Sequence, residues 1–217
     1  LSRKFFEHAL FDFEPLKSVI MHDKRYYELP NGTLAQSVTT RIGEASDKTA
    51  LLEWQKKVGI SEAIKISTQA AVRGTAIHSI CESYLMNEPT YPKNSMPSNI
   101  DLFKTLRPHM DDHIGRIFGI ESPLYSYALA AAGRTDCIAE WDGVPSIIDF
   151  KTARKYKKEE WIENYFLQAT TYALMAEERT GLIIPQFVIM IAVDHEDPQI
   201  FVKEKQPYIT RVKEIFS

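Results

Sequence analysis

The sequence predicts an α/β fold, in which one mixed sheet carries an antiparallel meander and is flanked by helices. Three observations predict it: helical periodicity over much of the first half, three β-rich segments between residues 117 and 151, and a closing helix, buried strand and terminal helix. That order suits a sheet covered on its faces by helices.

The elements follow in turn. An aromatic, polar opening passes Tyr26, Tyr27 and the Pro30-Asn31-Gly32 turn into a β-like stretch over residues 36 to 41. Ser46-Asp47 predicts a helix start, with Leu51, Leu52 and Trp54 on its apolar side and Gly59 as its stop. A second helical region is expected from 61 to 86, broken near Ser67. Pro89, Pro92 and Pro97 then mark an exposed loop, followed by a helix over 98 to 116. From Ile117 the texture is β, in segments 117 to 130, 134 to 141 and 144 to 151. Trp161, Tyr165, Leu167, Tyr172 and Leu174 restore a helical period over 159 to 179, which Gly181 ends. Residues 187 to 193 read as a buried strand and 207 to 216 as a terminal helix.

Composition narrows the function classes. With 44% hydrophobic and 25% charged residues the chain is globular rather than disordered. A net charge of −3 gives no global attraction to nucleic acid, so any such binding needs a local basic surface. Cys81 and Cys137 are too few for an all-cysteine iron–sulfur cluster or a disulfide framework, and fit a reducing compartment. No apolar run reaches the roughly 18 residues that span a bilayer, so no membrane partner is expected. A cytoplasmic location is the first expectation. Because the chain begins at Leu1, a mitochondrial location after removal of a targeting segment is the alternative.

Asp142-Gly143 between two β segments signals a two-residue type I′ hairpin. If those residues form the loop, Trp141 stands opposite Val144 and the register carries back to Asp136 opposite Asp149. Directly opposed residues share a face with Cβ atoms about 4.5–5.5 Å apart. Two carboxylates there would repel by roughly 3 kcal/mol at an effective dielectric near 20. A divalent cation between them turns that liability into a ligand pair. The two-residue period of a strand puts Lys151 on the same face as Asp149, with Ile148 and Phe150 on the other. Lys151 could then help deprotonate a metal-bound water or balance charge in a transition state. An isolated Asp-x-Lys is more often a ladder of surface charges, and the opposition of Asp136 is what weighs against that here.

Upstream, Gly74 and His78 lie four apart on one helix face, with Glu82 a turn later. Glycine inside a helix suggests close approach of a backbone or ligand. Taken alone, His78 is more often a satisfied core histidine than a metal ligand.

Together Gly74-Thr75-Ala76-Ile77-His78, Gly133-Arg134-Thr135-Asp136, Ile148-Asp149-Phe150-Lys151-Thr152 and Gln168-Ala169-Thr170-Thr171-Tyr172 resemble the four motifs of the RecB-type PD-(D/E)xK nucleases. They cover residues 74 to 172. Ser37-Val38-Thr39 ahead of the Trp54 helix, and Arg73-Gly74-Thr75 before His78, look like the group of the mitochondrial genome maintenance exonuclease and related phage-encoded exonucleases.

The resemblance implies a restriction-endonuclease-like core and a metal site of His78, Asp136 and Asp149 holding Mg²⁺ or Mn²⁺, with the Phe150 carbonyl as a further ligand. It makes Lys151 the catalytic lysine and sets Gln168 and Tyr172 against the site or the DNA backbone. Arg73 and Ser37 join the expected DNA contacts. Glu121 is an additional acidic candidate, to orient water or reach a second metal. Arg154, Lys155 and Lys157 could hold phosphates, with Tyr156 free to stack on a base, although a solvated approach to a helix accounts for that run nearly as well.

Thr135 stands where the family name has proline, and Asp149 where many members have glutamate. The cysteines of the iron–sulfur relatives are absent, so no iron–sulfur cluster is expected, and no helicase motif implies an attached motor. The chain is expected to be one nuclease domain, with residues 1–66 an N-terminal helical accessory region and 67–217 the catalytic core.

The expected function is a metal-dependent DNA exonuclease acting on single-stranded DNA or DNA ends in replication, recombination or repair, with proteins of those processes as partners. A structure-selective or nonspecific endonuclease with the same site, or a catalytically silent DNA-binding protein, are the alternatives. Oligomeric state is open.

Overall fold

Asp142 and Gly143 both take positive φ, 51° and 79°, which is the backbone a type I′ turn requires. The turn joins β5 (Ala131–Trp141) to β6 (Val144–Ala153), and β4 (Ile114–Ser126) precedes them to complete the meander. The β5–β6 ladder runs from Trp141↔Val144 to Cys137↔Ile148, the register the turn dictates. The structure, a computed structural model, describes residues 3–217.

Beyond Cys137 the two strands part. β6 runs on beside the parallel strand β7 (Gln186–Val193), which carries the edge strand β8 (Gln199–Glu204). The first residues of β5 instead pair in parallel with β3 (Leu34–Ser37), through Gln36↔Ala131 and Ser37↔Ala132. β1 (Lys17–Met21) and β2 (Lys24–Glu28) extend that side, giving a mixed sheet of eight strands. The fork between β5 and β6 opens at Asp136 and Asp149.

Among the described residues the α-helices are α1 (Val38–Ala45), α2 (Thr49–Val58), α3 (Ile60–Leu85), α4 (Pro97–His113), α5 (Glu163–Thr180) and α6 (Ile209–Phe216), and all but the exposed α2 pack on the sheet. Val38 and Ile42 of α1, Phe166 and Ala169 of α5 and Val212 of α6 pack with Ile147 and Ile189 on one face. Ile77 and Ile80 of α3 and Phe103 and Leu106 of α4 pack with Ile148, Phe150 and Met190 on the other. Alternation along β6 thus separates neighbouring residues onto opposite cores, and β7, covered on both faces, is apolar almost throughout. Among the described residues no helix is long and apolar enough to cross a membrane.

Several elements differ from expectation. Residues 36 to 41 are divided, the strand ending at Ser37 and α1 starting at Val38. α3 runs through Ser67 without the expected break, since one serine inside a long helix costs only a fraction of a kcal/mol. The N-terminal stretch holds the β1–β2 hairpin as well as helices. That turn uses His22 and Asp23 at positive φ rather than glycine, and its strands are largely exposed, so neither turn nor alternation marks it in the sequence. β8 is a partly exposed edge strand with little periodicity.

Candidate metal centre

The fork leaves backbone groups of β6 without a partner strand, and Asp136 fills the gap. Its Oδ2 accepts the Phe150 N–H at 2.8 Å, while Oδ1 lies 3.4 Å from His78 Nδ1. His78 comes from α3 and donates from Nε2 to the Phe150 carbonyl at 2.6 Å. Burial works against a charge on this imidazole, but the neighbouring Asp136 carboxylate outweighs it and raises the His78 pKa to about 9. Burial likewise pushes Asp136 up, and His78, Lys151 and the Phe150 N–H together bring it below the ordinary carboxylate range.

Glu121 faces the same gap from β4. The β4–β5 ladder pairs Ile120 with Cys137 and Ser122 with Thr135, leaving Glu121 between them at φ 46°. A non-glycine residue in that region costs about 1–3 kcal/mol and persists where its surroundings enforce it. Burial, then the charges of Asp136 and Glu82, raise the Glu121 pKa to about 7.

His78, Glu121 and Asp136 each offer a ligand atom, and the three atoms lie within 4.8 Å of one another. Two carboxylate oxygens and one imidazole nitrogen suit a divalent cation such as Mg²⁺ or Mn²⁺. The Phe150 carbonyl, expected as a ligand, is engaged with His78 instead. It fixes the imidazole with Nδ1 toward the carboxylates, the usual task of a group behind a metal-binding histidine.

Asp149 also departs from the opposed pair that the register implied. Its side chain is buried, and its Oδ2 meets the Lys151 ammonium. Gln168 Nε2, from α5, donates to Oδ1 at 3.4 Å. A buried carboxylate needs a counter-charge, and the lysine two residues on supplies it. Burial raises the Asp149 pKa, Lys151 opposes the rise, and Asp136 adds to it, which puts Asp149 within the electrostatic reach of the cluster as a fourth candidate ligand.

The remaining expected contacts are scattered. Arg73 NH1 is bound to Asp194 Oδ2 at 2.6 Å, Arg154 to Gln69 at 3.0 Å, and Lys155 and Lys157 are exposed. Ser37 is buried at the start of α1, where its hydroxyl pairs with Thr39, so it is not on a surface that DNA could touch. Tyr172 is buried, with its ring against the backbone of Gly133. Sequence reasoning missed Tyr165, whose ring centroid lies 5.2 Å from Lys151 Nζ. Its spacing of three and seven residues from Gln168 and Tyr172 on one helix face was the available signal.

The Gly133 contact yields a prediction. A Cβ there would lie 2.7 Å from Tyr172 Oη and 2.9 Å from Cε1. Gly133→Ala is expected to cost about 1–3 kcal/mol in chemical denaturation by overpacking. Tyr172→Phe in that background should recover only part, because the ring carbon still collides. Wild-type stability of Gly133→Ala would show that the ring is free to move.

The titration of the centre yields another. Glu121 and His78 both bind protons more tightly folded than unfolded, with pKa values near 7 and 9 against ordinary values of about 4.5 and 6.5. Each contributes stability that is fully present below its unfolded pKa and lost as pH rises through its folded pKa. Metal-free protein should therefore melt at progressively lower temperature from about pH 5 to pH 9. Metal binding needs a neutral imidazole and ionised carboxylates, so the rise in melting temperature on adding Mn²⁺ should grow over the same range. Melting curves in EDTA and in Mn²⁺ across the series test this, and a flat or rising EDTA series contradicts it.

No family model matches the chain, and neither does any curated protein. The chain is similar to a crystal structure from Eubacterium rectale provisionally described as an exonuclease, at 17% identity and a TM-score of 0.43, over 67% of this chain and 64% of that one. A likeness of that size leaves function to be argued from the site itself.

Proposed function

We propose that the chain is a divalent-metal-dependent deoxyribonuclease of the RecB-type PD-(D/E)xK kind, an exonuclease acting on single-stranded DNA or DNA ends in replication, recombination or repair. The observation that carries the reading is the fork that gathers His78, Glu121 and Asp136 within 4.8 Å, with the Asp149–Lys151 pair on the adjoining strand. A bound Mg²⁺ or Mn²⁺ would supply an activated water and neutralise charge on the phosphodiester.

The chain's own residues do the rest. Asp136 is held by the Phe150 N–H and His78 by the Phe150 carbonyl, so one peptide segment orients two ligands. Asp149 keeps Lys151 beside the cluster, and Gln168 steadies Asp149 from α5. The Lys151 ammonium would meet a phosphate oxygen as charge develops on it, and Tyr165 lies beside that cation.

The test is digestion of linear and circular single-stranded DNA in Mg²⁺ or Mn²⁺, with 5′-blocked and 3′-blocked linear strands. Linear DNA should be degraded and circles spared. Cutting of circles would make the same site an endonuclease, and no metal-dependent cleavage of any DNA would overturn the reading.

A further inference from the structure

Residues 154 to 161, which follow the strand bearing Asp149 and Lys151, are exposed without interruption. Two large aromatics stand among them, Tyr156 at 49% and Trp161 at 64% exposure. Nothing in the packing of the sheet accounts for them. Tyr156 stands between Arg154-Lys155 and Lys157-Lys158, Trp161 follows Glu159 and Glu160, and Lys158 Nζ lies 5.2 Å from the Trp161 ring centroid.

The acids nearby, Glu159, Glu160 and Glu163, offset only part of that charge. Glu159 is taken by Lys203 at 2.5 Å and Glu160 lies 3.9 Å from Lys158. Among the described residues no carboxylate pairs with Arg154, Lys155 or Lys157. The loop is nevertheless held in one shape by neutral side chains. Gln199 accepts the Lys157 N–H at 2.7 Å and donates to the Lys157 carbonyl at 2.9 Å, while Gln69 accepts from Arg154 at 3.0 Å. An exposed basic loop fixed in this way loses little freedom on binding.

We infer that this segment is a stacking platform for single-stranded DNA, on which Tyr156 and Trp161 carry bases while Arg154, Lys155 and Lys157 hold phosphates. The inference deepens the nuclease reading and rests on it for the direction of the strand toward the cluster. From Lys151 to Tyr156 the chain spans at most about 17 Å, so one strand could touch both. Unpaired bases offer free faces to aromatic rings, which is the recognition a sequence-tolerant single-strand binder uses. In a duplex those faces are covered by neighbouring bases, and only the phosphates remain to be bound.

The experiment is titration of oligo-dT into the full chain in EDTA, where no metal-dependent cleavage can occur, followed by tryptophan fluorescence and by anisotropy of labelled DNA. Oligo-dT should quench the wild type and not Trp161→Phe. Trp161→Ala and Tyr156→Ala should each weaken binding by about 5- to 160-fold. Lys155→Ala/Lys157→Ala should reduce the slope of log affinity against log salt by about 1.4. A duplex of equal length should compete poorly.

Unchanged oligo-dT affinity in Trp161→Ala/Tyr156→Ala, or a duplex that competes as well as oligo-dT, would overturn the platform. Tighter binding of oligo-rU than oligo-dT would overturn its assignment to DNA. Because binding is read without metal, a platform that binds DNA in a protein that never cleaves it would sink the nuclease reading alone. Metal-dependent cleavage with no effect of either aromatic variant would sink the platform alone.

Discussion

Lys151→Met is expected to lower single-turnover cleavage of single-stranded DNA by at least about 10²-fold, the cost of removing a transition-state stabiliser. It should also lower stability, because it leaves the Asp149 carboxylate buried without its counter-ion. Removing one partner of a buried pair costs up to about 3–5 kcal/mol, and the partial exposure of Lys151 places the loss at the lower end. The two effects separate in the double variant. Asp149→Asn removes the stranded charge, so Lys151→Met/Asp149→Asn should regain most of the melting temperature and none of the cleavage. Near wild-type single-turnover cleavage by Lys151→Met would remove the lysine from the mechanism. Recovery of cleavage along with stability in the double variant would make its role structural.

Asp136→Asn is expected to reduce cleavage on the order of 10³-fold, the upper end for loss of one such contact. The side chain holds Phe150 through its N–H, carries the charge opposite His78 and offers an oxygen to the cluster. Asparagine keeps an oxygen for the Phe150 N–H, so the fold should survive while the other two roles fail. Without the neighbouring carboxylate the His78 pKa should fall from about 9 toward the ordinary imidazole value, readable by NMR titration of the ring in metal-free protein. Full cleavage by Asp136→Asn, or an unmoved His78 titration, would contradict these roles.

The sequence carried the meander well because a two-residue Asp-Gly loop leaves little freedom in register, and every pair from Trp141↔Val144 to Cys137↔Ile148 follows from it. It could not show that the ladder stops there. Register says which residues would be opposed if two strands stay together, but whether they do depends on what else competes for them. Here β3 takes the first residues of β5 on the edge that β6 holds further along, which turns an opposed aspartate pair into a fork, while β7 runs along the other edge of β6.

The same limit explains the site. His78, Asp136 and Lys151 are local motif residues that lie at the fork; hairpin register and strand alternation pointed to the last two, and the family resemblance alone to His78. The place of Glu121 depends on an irregularity in β4 at positive φ, and the turn of the Phe150 carbonyl toward His78 depends on how α3 packs on the sheet. Neither leaves a periodic trace in the sequence. Arg73 shows the converse, a motif residue whose charge is taken by Asp194, an acid 121 positions away.

The most direct test is calorimetric titration of Mn²⁺ into metal-free wild type, Asp136→Asn, Glu121→Gln and Lys151→Met in the absence of DNA. The wild type should show a saturable site that releases protons as it fills. Asp136→Asn and Glu121→Gln should lose it, and Lys151→Met should keep it. Equal Mn²⁺ binding by wild type and Asp136→Asn, or none by the wild type, would contradict a metal centre at the fork.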